Sequence, residues 1–197
     1  MPERFPLVEI FNSLQGEGRN AGRQCSFVRL AGCNFDCPWC DTPRDARFSA
    51  TADEIVAEVS QYAARSVVLT GGEPTARDGV EELVAALKGA GFWIAVETNG
   101  SRDAAWLRFV DYVACSPKIE RPGDIALREA DEVRVVASCA GVVEFCRGVR
   151  GRIKASDYYI SPCERAGAFD WAAAKDALAR LPDWSLSVQL HKILGFR

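Results

Sequence analysis

The sequence predicts an α/β fold in which parallel strands alternate with covering helices. Two observations lead there. Short, uninterrupted apolar runs of strand length recur between segments whose apolar residues repeat at helical spacing. Polar signatures fall, again and again, just after the ends of those runs. The 197 residues are 48% hydrophobic and 26% charged, enough to bury a sizeable core and too apolar for disorder. Without an internal repeat, low-complexity tract or linker, 1–197 reads as one domain.

Taken in order, Leu7 to Phe11 predicts a strand, and Asn12-Ser13-Leu14-Gln15-Gly16-Glu17-Gly18 a polar turn. Cys25 to Leu30 is the next strand and delivers the chain into a cysteine-rich loop. Thr51-Ala52-Asp53-Glu54 has capping-box spacing, and Ile55, Val56 and Val59 continue an apolar helical face. Ser66 to Thr70 is a strand ending in Gly71-Gly72-Glu73-Pro74. Val80, Leu83, Val84 and Leu87 mark a helix that Gly89 and Gly91 stop. Further strands are expected at Phe92–Glu97, Tyr112–Cys115, Glu132–Val136, Tyr158–Ile160 and Leu186–Leu190. Helices are expected at Ala104–Phe109, Val142–Arg147 and Phe169–Leu181.

Six polar clusters then lie at or after C-terminal strand ends: Cys33–Cys40, Gly71–Pro74, Glu97–Gly100, Ser116–Lys118, Ser161–Cys163 and Gln189–His191. That edge is the ligand-binding edge of parallel α/β sheets, so the six read as one site.

With 24 basic and 27 acidic residues intermixed, the chain has no basic face for phosphate-driven nucleic-acid binding. No apolar run follows the N-terminus, so neither a signal peptide nor a membrane span is expected and the cytoplasm is the default location. Cys25, Cys115, Cys139, Cys146 and Cys163 stand singly among apolar residues and read as reduced, small hydrophobes.

The other three cysteines are different. Cys33, Cys37 and Cys40 are spaced C-x3-C-x2-C in a loop where core packing gives no reason to gather thiols. A closed zinc site would need a fourth ligand, such as His191 or a distant cysteine. An electron-carrying iron–sulfur site would ordinarily use four cysteines. The third reading is an open cluster, whose vacant coordination position serves chemistry.

The cysteine loop joined to Gly71-Gly72-Glu73-Pro74 resembles the radical S-adenosylmethionine (SAM) superfamily over most of the chain. The resemblance implies a partial, trimmed (β/α)6 barrel with parallel strands and few helices, a [4Fe–4S] cluster on Cys33, Cys37 and Cys40, and SAM at the open iron. Glu73 would accept from the SAM ammonium, Trp39 would flank the adenine, and Gly71 and Gly72 would allow close backbone approach.

A narrower set of segments resembles the 7-carboxy-7-deazaguanine synthase family. These are Phe11–Gly18, Phe27–Leu30, Trp39–Thr42, Glu97–Gly100, Ser116–Lys118 and Gln189–Lys192. This second resemblance implies a radical carbon–nitrogen lyase of queuosine and other 7-deazapurine biosynthesis. It would convert 6-carboxy-5,6,7,8-tetrahydropterin to 7-carboxy-7-deazaguanine with loss of ammonia, a 5′-deoxyadenosyl radical taking hydrogen from C6. It also implies Mg²⁺, a homodimer and a reductant such as flavodoxin. Carried over by position, Thr42 would bind Mg²⁺. Trp39, Cys40, Asp41, Gly72, Glu73, Ser116, Pro117, Lys118 and Ser161-Pro162-Cys163-Glu164 would line the SAM site. Leu14, Gln15, Gly16, Glu17, Arg29, Thr70, Gln189, His191 and Arg197 would meet substrate. Where the family often has Gln-Pro, this chain has Ser161-Pro162. Two alternatives are a glycyl-radical-enzyme activase, which would bind a protein partner, and a non-catalytic iron–sulfur or zinc module.

Overall fold

The computed structural model describes residues 2–196. Arg197, expected in the substrate pocket, lies outside the described residues. In chain order the strands are β1 (Phe5–Leu14), β2 (Gln24–Leu30), β3 (Phe48–Ala50), β4 (Ser66–Gly71), β5 (Trp93–Thr98), β6 (Tyr112–Cys115), β7 (Glu132–Ala137), β8 (Asp157–Pro162), β9 (Glu164–Arg165), β10 (Ala168–Phe169) and β11 (Ser185–Leu186). The α-helices are α1 (Ala52–Val59), α2 (Val80–Gly89), α3 (Val142–Arg150), α4 (Trp171–Ala179) and α5 (Leu190–Leu194). Ala105–Phe109, expected as a short helix, is a 3₁₀ helix between β5 and β6.

One sheet runs in the order β11-β8-β7-β6-β5-β4-β2-β1-β3. From β2 through β4, β5, β6, β7 and β8 every neighbouring pair is parallel, as a trimmed (β/α)6 barrel requires. β1 departs from the expected parallel arrangement by pairing antiparallel with both β2 and β3. The reason is chain length: the connection over residues 15–23 is too short for a crossover, and only a hairpin can close it.

Helices are few. α1 starts at a complete capping box, with Thr51 Oγ1 accepting from Glu54 N and Glu54 Oε2 accepting from Thr51 N. Alternate strand residues (Val67 and Leu69, Ile94 and Val96, Val133 and Val135) pack with Ile55, Leu83, Leu87, Val143 and Cys146 in the main core. The intervening residues form a second cluster in which Phe11 stacks on Phe27 at 5.0 Å beside Val68, Ala95 and Ala114. The central strands are buried along most of their length, as expected, with one face packing against helices and the other forming this separate cluster. On that second face the small residues give way to Thr70, Glu97 and Arg134 toward the C-terminal edge.

Two regions depart from expectation near the C-terminus. The strand expected over Leu186–Leu190 is reduced to Ser185–Leu186. Ser187 Oγ accepts from Gly18 N and Leu190 N donates to Gly16 O, so contacts with the β1–β2 loop turn the chain into α5. The β9–β10 hairpin was not foreseen.

The cysteine loop is seated on the end of β4 by backbone alone. Gly72 N donates to Leu30 O at 2.9 Å, and Glu73 N to Gly32 O at 3.0 Å. A Cβ on Gly72 would lie 1.4 Å from Gly32 O and 2.8 Å from Cys33 N, neither of which is a flexible side chain. Replacing Gly72 with Ala is therefore expected to cost on the order of 3 kcal/mol of stability, since the clash cannot be relieved by rotamer change. Urea unfolding of the apoprotein measures it, and loss below 0.5 kcal/mol, within the range of neutral surface changes, would show that the loop can back away from β4.

Candidate active site

A cavity of about 280 Å³ opens at the C-terminal edge of the parallel strands. It is lined from all six polar clusters named above, and from the β1–β2 loop.

On one side lies the cysteine loop. Cys33, Cys37 and Cys40 all line the cavity, with Cys33 and Cys40 exposed. Phe35 N donates to Cys33 Sγ at 3.4 Å, a backbone bond of the kind that tunes a metal-bound thiolate. Side chains pin the loop to successive strand ends. Asn34 Oδ1 accepts from Asn99 Nδ2 (3.0 Å), and Asn34 Nδ2 donates to Ser101 Oγ (2.8 Å). Trp39 Nε1 donates to Glu120 Oε1 (2.7 Å), which also accepts from Ser138 Oγ (2.9 Å). Burial pushes the Glu120 carboxyl up, but these donors, Trp39 first, bring it below its ordinary value. Asp41 Oδ2 accepts from Lys192 Nζ of α5 at 2.6 Å. Lys118 Nζ donates to Ser116 Oγ (2.8 Å) and stands 5.1 Å above the Trp39 ring.

On the other side lies an acidic array. Glu97 Oε1 accepts from Gln15 Nε2 (3.1 Å) and Arg134 Nη2 (2.8 Å), and Glu97 Oε2 from Thr70 Oγ1 (2.8 Å). Arg134 Nη1 donates to Glu17 Oε2 (2.9 Å), and its Nε lies 2.9 Å from Glu132 Oε1 as an ion pair without hydrogen-bond alignment. Burial opposes the Glu97 charge, but Arg134, by charge and hydrogen bond, overcomes it together with Thr70 and Gln15 and holds the carboxyl down to about 2. Glu17 goes the other way: burial, with repulsion from Glu97 and Glu132, outweighs Arg134 and raises it.

Arg29 and Thr42 stand between the two sides. Arg29 Nε donates to Glu9 Oε1 at 2.9 Å, which orients the guanidinium, and its Nη1 points to Thr42 Oγ1 at 3.4 Å. His191 lines the cavity above Gly16, and burial lowers its affinity for a proton.

Of the residues singled out in the sequence, the cavity gathers Leu14, Gln15, Gly16, Glu17, Arg29, Cys33, Cys37, Trp39, Cys40, Asp41, Thr42, Thr70, Gly72, Glu73, Ser116, Lys118, Ser161, Gln189 and His191. Pro117 is packed into the interior between Ser116 and Lys118 and does not line it. Pro162, Cys163 and Glu164 do not line it either. β8 continues to Pro162, and the β9–β10 hairpin then leads the backbone away, burying Cys163 and pairing Glu164 with Lys192. Glu73 lines the cavity, but its carboxylate already accepts from Thr75 N, Thr75 Oγ1, Thr98 Oγ1 and Asn99 N. Four donors are the usual capacity of a carboxylate, so its observed work is tying β4 to β5. Gly72 meets protein backbone rather than leaving an open approach for a ligand.

Arg134, Glu97, Asn99, Arg44 and the aromatic rings of Phe11, Phe27 and Phe35 also line the cavity and were not singled out as contacts. The signal for Arg134 was the run Glu132-Val133-Arg134-Val135-Val136, where charge alternates with valine in a strand expected to be interior. Among the single cysteines, Cys25, Cys115, Cys146 and Cys163 are buried, as small hydrophobes should be, whereas Cys139 is exposed.

The donor set fits an iron–sulfur cluster with an open position, since three thiols border a cavity rather than the protein interior. Among the described residues no three His, Cys, Asp or Glu side chains close on a single ion. Ser161 Oγ is buried in the wall without a hydrogen-bond partner, a vacancy that suits a polar ligand group.

Comparison with known proteins agrees with this arrangement. A model of the radical SAM superfamily matches residues 28–117, the stretch holding the cysteine loop and the next three parallel-strand ends. The chain is a radical SAM enzyme, and that class uses a [4Fe–4S] cluster and SAM. It is 38% identical over 200 residues to the 7-carboxy-7-deazaguanine synthase of Haemophilus influenzae, covering 97% of this chain and 93% of the relative. It is 41% identical over 202 residues to that of Neisseria meningitidis, covering 98% and 94%. The chain belongs to the 7-carboxy-7-deazaguanine synthase family. Its fold resembles that of Escherichia coli QueE (TM-score 0.75, 23% identity, 95% of each chain) and part of Streptococcus suis SuiB (TM-score 0.54, 14% identity, 80% of this chain and 44% of the other).

The opposite shifts of Glu97 and Glu17 give opposite mutational signs. The contribution of Glu97 is complete above the unfolded carboxylate range, near pH 4.3, and is lost as pH falls toward 2. Glu17 is raised, so its charge opposes folding at neutral pH and its protonation relieves that. Glu97→Gln should therefore lower the apoprotein's Tm at neutral pH, with the gap narrowing as the medium is acidified below the carboxylate range. Glu17→Gln should leave Tm unchanged or raise it. Equal losses in both variants would refute the charge assignment.

Proposed function

We propose that the chain catalyses the ring contraction of 6-carboxy-5,6,7,8-tetrahydropterin to 7-carboxy-7-deazaguanine with loss of ammonia, a step of 7-deazapurine and queuosine biosynthesis. Residues 1–197 act as one radical-SAM domain, in the cytoplasm, as a homodimer supplied by a reductant such as flavodoxin. The observation that supports this most is the sharing of one cavity by the cysteine loop and the Leu14–Glu17 segment. A glycyl-radical activase would have no use for that second segment. No helix among the described residues is long and apolar enough to cross a membrane.

Cys33, Cys37 and Cys40 would hold the cluster, which together with SAM supplies radical initiation. The remaining work belongs to the chain. Trp39, fixed by Glu120, offers a flat apolar surface, while Asp41, Ser116, Lys118 and the partnerless Ser161 hydroxyl offer polar anchors for the amino-acid and ribose groups of SAM. Arg29, oriented by Glu9, offers its guanidinium to the substrate carboxylate. Thr42 is a hard oxygen donor suited to Mg²⁺, an ion that retains much of its water. Arg29 Nη1 lies 3.4 Å from the Thr42 hydroxyl, so Mg²⁺ held by Thr42 would add to the positive charge of that corner and favour an anion there. A carboxylated substrate supplies that anion. Gln15, Thr70 and the backbone of Gly16 address the ring edge, and the phenyl rings of Phe11 and Phe27 limit the water around it.

Anaerobic reconstitution tests the reading. Four irons per chain and release of 5′-deoxyadenosine that depends on the carboxylated pterin are expected. Release indifferent to the pterin would remove the substrate assignment, and zinc in place of iron would remove the enzyme class. Thr42→Ala should weaken the response of turnover to Mg²⁺, and an unaltered response would take Thr42 out of the metal site.

A further inference from the structure

Arg134 is 5% exposed and belongs to none of the motifs that identify the family. Its guanidinium spans three carboxylates from three parts of the chain: Glu17 in the β1–β2 loop, Glu97 at the end of β5, and Glu132 on its own strand. It acts further through its partners. Glu97 takes bonds from Gln15 Nε2 and Thr70 Oγ1, while Gln15 Oε1 accepts from Glu17 N at 3.1 Å. The Gln15 amide is thus held at both its oxygen and its nitrogen, which fixes which way it faces.

The hub is also anchored from behind. Glu132, 1% exposed, accepts from Tyr112 Oη at 2.8 Å and from Arg19 N at 2.9 Å. Its carboxylate fills the space a side chain at Gly18 would need, with both oxygens 2.2 Å from where a Cβ would lie. Glu132 is thus tied by two hydrogen bonds on the side away from Arg134.

A guanidinium already shared by three acids is no site for a substrate carboxylate, whereas Arg29, standing between the two sides of the cavity, is ion-paired with Glu9 and carries no such excess. Three negative groups around one positive group are also costly to bury unless their geometry is used. We propose that Arg134 is a positioning residue for the substrate: it holds Glu17, Glu97, Gln15 and Thr70 in the single arrangement that the substrate ring meets, and so sets substrate affinity without touching the cofactor side. The proposal rests on the pterin reading for the identity of that ring. Lysine cannot replace it, because one ammonium cannot present a planar fork to three separated carboxylates.

The test uses anaerobically reconstituted enzyme with SAM and no reductant, so that the pterin binds without turnover. Calorimetry gives its Kd for wild type, Arg134→Lys and Arg134→Gln, and SAM affinity and the cluster's absorption are measured in parallel. Arg134→Lys should weaken pterin binding by roughly tenfold or more while leaving SAM affinity and cluster content unchanged. With reductant added, the loss should appear in KM for the pterin more than in kcat. Wild-type pterin affinity in Arg134→Lys overturns the proposal, as does an equal fall in pterin and SAM affinities. Failure of both variants to fold and hold the cluster assigns Arg134 to the scaffold and overturns it too. Wild-type enzyme that binds no pterin overturns the substrate reading itself, and the proposal with it.

Discussion

The site depends on a contact between two stretches of backbone. Gly72 lies so close to Gly32 that no other residue fits, and Gly71, at φ +123°, makes the turn that brings it there. This seats the first residues of the cysteine loop on the end of β4 before any side chain is considered. The loop is then carried outward by one tie per strand end: Asn34 to the end of β5, Trp39 through Glu120 to Ser138 beyond β7, and Asp41 to Lys192 in α5. A loop with little apolar burial of its own is thereby placed by the rigid sheet, which is what a cluster-binding loop needs if its open position is to face the same point each time.

The opposite wall is built on another principle. There the strands end in charge, and the charges are held by one another. Burying carboxylates is costly, and the structure does not avoid that cost, since Glu17 is raised while Glu97 is held down by the same guanidinium. What results is an array whose donors and acceptors are oriented before a ligand arrives. Binding then spends little on ordering side chains, the usual gain from preorganisation.

How much of this could be read from the sequence follows from how local each feature is. The cysteine loop, Gly71–Pro74 and the capping box at Thr51 are contiguous, so their chemistry is visible in a few residues. The parallel strands were visible as apolar runs, and the antiparallel β1–β2 pair was implicit in the short 15–23 connection. Glu73 was legible as a motif residue but not as a saturated one, because its partners Thr98 and Asn99 arrive from the next strand. Arg134 has partners 117 and 37 residues away and no motif to mark it. The strand expected over Leu186–Leu190 stops at Leu186 although the composition of that run is strand-like, because contacts of Ser187 and Leu190 with Gly18 and Gly16 turn the chain aside into α5. Tertiary context, not local preference, decides such short segments.

The two walls meet at the C-terminal segment. Leu190 N bonds Gly16 O, His191 lies over Gly16 where a Cβ would come within 1.9 Å of its Nδ1, and Lys192 joins Asp41 to Glu164. The Leu14–Glu17 segment is therefore gripped from below by Arg134 and from above by α5, while the cysteine loop is gripped at Asp41 by the next residue of that helix. One short helix closes over both halves of the cavity using adjacent side chains. Since α5 has no buried residue of its own, these polar contacts and not apolar packing hold it in place. Its position thus depends on the two loops being correctly set, so closure of the cavity follows from the cysteine loop and the Leu14–Glu17 segment being in place together.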